Sequence, residues 1–111
     1  MLSNCKITVL RRSLDQELIS EFRDNSYADT PPCENFAVGQ EFVVGSPFGI
    51  PEGFCPWAWA DIRHVILRVA CGGDMPGMRQ KGVEVAGCTD WFRPVLFKIE
   101  RVEAPGESND S

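Results

Sequence analysis

At 111 residues the chain is long enough for one domain with a modest core. Apolar residues make up 43% and charged residues 24%, the balance of an ordinary globular protein rather than a disordered or fibrous one. The net charge of −5 argues against nucleic acid and anionic membrane as partners, because both select a basic footprint.

No apolar run approaches the roughly 20 residues of a membrane span, and the start lacks the charged, apolar, small-residue pattern of a secretion signal. The expected compartment is the cytoplasm. The five cysteines are odd in number, and none are spaced as Cys-x-x-Cys. Neither a disulfide framework nor a zinc-ribbon or thioredoxin-type motif is indicated.

Cys5 to Leu10 alternates apolar and polar side chains around β-branched residues, which predicts a first strand with Cys5, Ile7 and Val9 facing inward. Ser13 and Gln16 have the spacing of a capping box. Leu14, Leu18, Ile19 and Phe22 then form one stripe, predicting a core-covering helix that runs to about Arg23. Residues 24–32 read as a loop, and Pro31-Pro32 delivers the chain extended to Cys33. Ala37 to Val44 reads as a turn at Gly39 followed by a strand, and residues 45–53 as a second loop rich in proline and glycine.

The most telling stretch follows. Pro51-Glu52-Gly53-Phe54-Cys55-Pro56-Trp57-Ala58-Trp59-Ala60-Asp61 runs into Ile62, Val65, Ile66 and Val69 at helical spacing. Pro56 suits the first helical position, where its missing N–H is not needed. Gly72-Gly73 stops the helix, since glycine takes the left-handed cap without a Cβ penalty. Cys55 then falls at or beside the N-cap, where unpaired N–H groups and the helix dipole favour a thiolate.

Residues 74–78 form a loop with a turn at Pro76-Gly77, Val83 to Ala86 a short strand, and residues 87–94 a connection. Val95 to Val102 is the clearest strand, with Val95, Phe97 and Ile99 on one face. Residues 1–103 therefore read as one α+β domain: a small, mostly antiparallel sheet that could curl toward a barrel, with two helices packed on it. Residues 104–111 are polar, carry Pro and Gly, and read as a disordered tail whose removal would leave the fold untouched.

Three blocks also carry a resemblance: Pro32-Cys33 ahead of Val38-Gly39-Gln40-Glu41-Phe42; Gly53-Phe54-Cys55-Pro56-Trp57-Ala58-Trp59; and Cys88-Thr89-Asp90 before Arg93-Pro94-Val95-Leu96-Phe97-Lys98-Ile99-Glu100. Together they resemble a family of small, uncharacterised, cysteine-containing proteins of microbes, over nearly the whole span from Cys5 to Val102. The resemblance implies that Cys33, Cys55 and Cys88 matter, since cysteines recur at matching positions. Gln40 stands where that family commonly has an acidic residue. The resemblance brings no activity with it.

Apart from any resemblance, Cys33, Cys55 and Cys88 each sit at a loop-to-element junction beside proline or glycine, where side chains commonly line sites. Cys5 and Cys71 lie among apolar neighbours and read as core packing. If the three junction cysteines converge, two chemistries are open. They could hold zinc or iron, with Asp90, Glu34 or His64 as a fourth ligand. Alternatively, Cys55 could act as nucleophile or base, with Cys88 or Asp90 as proton partner. The lack of any close ligand pair favours the second.

Trp57 and Trp59 lie about 200° apart on a helix, so one of them covers a sheet edge or walls a cavity. Trp91, in the Cys88 connection, is a second aromatic source. Arg93 could clamp a substrate carboxylate through its planar fork, or pair with Asp90. His64, the single histidine, falls on a polar flank, and Asp61 suits the helix dipole with no further role. No G-x-S-x-G and no phosphate-cradling glycine loop is present.

The expected function is a small cytoplasmic enzyme, of lyase or isomerase type, acting without a cofactor on a small acidic or aromatic metabolite. Cys55 would be its thiolate, Cys88 and Asp90 its proton partners, Cys33 a further wall, Arg93 the anchor, and Trp57, Trp59 and Trp91 the aromatic contacts. Two alternatives stand beside it: a metal-binding module using Cys33, Cys55 and Cys88 as ligands, and a non-catalytic accessory protein whose cysteines only pack.

Overall fold

The alternating first segment forms strand β1 (Asn4–Arg12), with Cys5, Ile7 and Val9 buried and the intervening side chains turned outward. This is a computed structural model, and it describes residues 2–102; the expected tail at 104–111 lies outside the described residues. Strand β2 (Glu41–Val44) follows a turn in which Gly39 takes φ +87°, a backbone state that favours glycine. Strands β3 (Val83–Gly87) and β4 (Val95–Val102) complete one sheet in the order β2-β1-β4-β3, every pair antiparallel. The protein is α+β.

The sheet stays open. Its two long central strands are flanked by short edges, and β2 and β3 do not pair with each other, so no barrel closes. The register aligns Phe42, Ile7, Ile99 and Glu84 across the four strands on one face. The other face carries a charged ladder, with Lys6 between Glu41 (3.6 Å) and Glu100 (3.7 Å), and Lys98 on Glu100 at 3.3 Å. A shift in register between Val9 and Arg11 bulges β1 at Leu10.

The inner face is covered by helix α2 (Pro56–Ala70), which packs on β1, β3 and β4. Its buried residues include Ala58, Ile62, Val65, Ile66 and Val69, the stripe its spacing predicts. Pro56 occupies the first turn, Cys55 is the N-cap, and Gly72 turns left-handed at φ +95° beyond the C-terminus. Phe36, Phe54 and Phe97 stack edge-on and tilted beside it, with centroids 4.9–5.5 Å apart. Among the described residues no helix is long and apolar enough to cross a membrane.

The first helix departs from expectation. Helix α1 spans only Gln16–Phe22, and its N-cap is Asp15, whose Oδ1 accepts from Leu18 N at 3.1 Å, rather than Ser13. Ser13 N–H donates to the Pro94 carbonyl and Asp15 N–H to that of Phe92, which holds the chain extended beside residues 92–94 until Asp15. Only Ile19 of the predicted stripe is buried in α1, and Phe22 is 67% exposed. The helix flanks the 91–94 connection instead of covering the sheet. A 3-10 turn, Asn25–Tyr27, follows within the expected loop.

Candidate functional site

Cys33, Cys55 and Cys88 line one cavity of about 60 Å3, together with Phe36, Asp90 and Arg93. Three separate segments bring them there. Cys33 is held by Arg12, whose Nη1 donates to its carbonyl at 3.1 Å, and by neighbouring Phe36, which is locked in the phenylalanine cluster. Cys55 follows Phe54, whose ring meets those of Phe36 and Phe42 at 4.9 Å and Trp59 at 5.9 Å. Cys88 directly follows β3. Its N–H donates to the Val95 carbonyl at 3.1 Å, and its Sγ accepts from Val95 N–H at 3.4 Å.

The three sulfurs differ in access. Cys33 and Cys88 are 8% and 9% exposed, whereas Cys55 is half-buried and its side chain makes no capping hydrogen bond. As the N-cap it adjoins the first turn of α2, whose N–H groups no helical carbonyl can satisfy. Cys5 and Cys71 lie elsewhere. Cys5 is fully buried under α2, as expected, but Cys71 is exposed. Cys71 is the C-cap, one step past the last buried turn, where Gly72 steers the chain into solvent, so its apolar sequence neighbours do not enclose it.

The loop after Cys88 is pinned by a residue to which the sequence assigned only a dipole role. Asp61 Oδ2 accepts from Thr89 N at 2.7 Å and from Thr89 Oγ1 at 3.0 Å. The same hydroxyl accepts from Trp57 Nε1 at 2.8 Å. One chain of bonds thus ties the first turns of α2 to the β3–β4 connection and orients Trp57.

Asp90 is committed to its own loop. Its Oδ1 accepts from Phe92 N (3.2 Å) and Arg93 N (3.4 Å), and its Oδ2 meets Arg93 Nε at 3.4 Å. With three donors on it, this carboxylate shapes the connection and holds Arg93. Arg93 correspondingly pairs with Asp90, the second of the two roles open to it.

Trp57, Asp90 and Arg93 also border a groove of about 540 Å3 next to the thiol cavity. Its other walls include Arg23, Tyr27, Trp91 and Phe92. Trp57 is 54% exposed, while Trp59 turns inward against Phe54 and lines neither space. Glu34 and His64 are exposed and border neither. Among the described residues, no group of three His, Cys, Asp or Glu side chains is arranged to hold a metal ion.

Sequence reasoning missed Arg23, Tyr27 and Asp61. Arg23 closes the stretch that reads as the first helix and Tyr27 falls in the loop after it, and their only signal is the cation–aromatic spacing itself. Asp61 was masked by the general preference for carboxylates near helix starts. No known family model, curated protein or solved structure matches the chain. What the molecule is, at the level of class, is an α+β protein with a thiol-lined cavity beside an aromatic groove.

Proposed function

We propose that the protein is a small cytoplasmic enzyme that acts on a small acidic or aromatic metabolite by thiol acid–base chemistry of the lyase or isomerase type. One observation carries the reading: three cysteines from three separate segments share a cavity that has walls in common with a groove of metabolite size. Cys55 is the reacting thiol, being the one of the three that is not buried. As thiolate it takes a proton from a carbon of the substrate. The electron pair left behind moves into an adjacent carbonyl, or expels a leaving group, and the thiol then returns the proton. Cys88 is the second thiol available for proton exchange, and Cys33 walls the cavity beside them. Asp90 positions Arg93 where cavity and groove meet.

Phenylpyruvate, an aromatic acid with an acidic C–H, is a direct probe of this chemistry. In deuterium oxide the protein should speed the loss of its benzylic proton signal above the buffer rate, and Cys55→Ser should return the rate to that of buffer. Equal rates for the two proteins, or for protein and buffer, would contradict the assignment.

A further inference from the structure

The groove holds a guanidinium that the thiol chemistry does not use. Arg23, the C-cap of α1, places its Cζ 3.8 Å from the ring centroid of Tyr27 and 5.0 Å from that of Phe92. Two aromatic rings therefore flank the guanidinium, whose donors lie along the edge of its fork. No carboxylate among the described residues is within ion-pair distance of it. Asp24, next in the chain, accepts from the Ser26 hydroxyl and backbone, which hold its carboxyl below the usual range, and the Arg23 charge adds a smaller pull without an ion pair. Arg93, the other arginine of the groove, is paired with Asp90. Two arginines against one aspartate leave the groove walls with a net charge of +1, on a chain that carries −5 overall.

We infer that Arg23 is the anion anchor of the groove, and that the ligand it takes is a planar aromatic carrying a carboxylate or phosphate. The anionic group meets the Arg23 fork, and the ring lies against Trp57 and Trp91, both of which border the groove with exposed indoles. A ring in that position stands next to the wall shared with Cys55. The inference deepens the proposed function and rests on it for the link between groove and thiols. The anchor displaces Arg93 from the role its sequence context offered. A protein with this surface charge repels free anions in general, so selective uptake of one requires a local cation of this kind.

The test is a titration followed through the indole N–H signals in nitrogen–proton correlation spectra, with benzoate, phenyl phosphate and the uncharged benzamide as probes. Benzoate or phenyl phosphate should shift the Trp57 and Trp91 signals and leave Trp59 still, and benzamide should bind about tenfold more weakly. A stronger response to phenyl phosphate assigns a phosphorylated ligand, and a stronger response to benzoate a carboxylate. Arg23→Gln should reduce the anions to the affinity of benzamide, and Arg23→Lys should retain part of the preference. The titration reads binding without turnover, which separates this inference from the thiol chemistry. If the unaltered protein binds benzamide as well as benzoate, or Trp57 and Trp91 stay still where a millimolar binder saturates, the inference is overturned. It is equally overturned if a folded Arg23→Gln protein keeps the preference, or if Arg93→Gln alone removes it.

Discussion

Burial pushes the Cys5 thiol up from 9.0 to about 11, against the opposing field of Arg101, and its Sγ donates to the Ile66 carbonyl at 3.6 Å. The sign of the linkage follows from that direction. Below pH 9 the thiol is protonated whether the chain is folded or not, and Cys5 imposes no pH dependence. Between about 9 and 11 the unfolded chain gives up this proton while the folded one keeps it, so stability falls as pH rises through that window. Cys5→Val, which keeps a small apolar side chain, should show a shallower alkaline loss of melting temperature than the unaltered protein. Parallel curves for the two would contradict the assignment. At the same scale the sequence was a mixed guide. Alternation with Ile7 and Val9 was enough to bury Cys5, because a strand fixes which side each residue faces. Cys71 had no such constraint: its exposure depends on where the helix stops, and it stops one residue earlier.

Helix α2 could be read almost whole because its signals are local: proline at the start, glycine past the end, and an apolar stripe between. Helix α1 could not, because its start is set by bonds from Ser13 and Asp15 to residues 92–94, some eighty positions away in the chain. Strand β3 hides a similar non-local term. Glu84 faces inward and is 3% exposed, while Val85 faces out. The inversion is held by Arg68 of α2, whose Nε meets Glu84 Oε2 at 3.0 Å in a two-pronged pair. The same pair raises the Arg68 guanidinium further above its usual range, through the hydrogen bond first and the charge second. Removing the arginine strands a buried carboxylate, so Arg68→Met should lower stability measurably. Adding Glu84→Leu should restore most of that in chemical denaturation. A double variant no more stable than Arg68→Met would show that the pair is not what holds β3 to α2.

Over the whole molecule, the four-stranded sheet and α2 act as a frame, and the candidate site lies where three of its connections meet. Those are the segment carrying Cys33, the start of α2 and the β3–β4 connection. The strand order places β3 at the sheet edge beside β4, and α2 runs over both. That arrangement is why Cys88, at the end of β3, comes to the N-terminus of α2. The junction context of the cysteines hinted at the cavity. The groove beside it could not be read ahead, because it depends on α1 lying against the 91–94 connection. Asp61, Thr89 and Trp57 then close the two halves on each other through hydrogen bonds that no sequence period announces.

The central claim is that Cys55 is the accessible thiol of a site walled by Cys33 and Cys88. Limiting iodoacetamide at neutral pH, with modified peptides mapped by mass spectrometry on the full chain bearing Cys71→Ser, tests it most directly. The substitution removes the one thiol that is exposed for unrelated reasons. The structure predicts that Cys55 is labelled first, that Cys33 and Cys88 lag behind it, and that Cys5 stays unmodified until the protein unfolds. Labelling of Cys33 or Cys88 ahead of Cys55, or of Cys55 no faster than Cys5, would contradict the account and return Cys55 to the role of a packing residue.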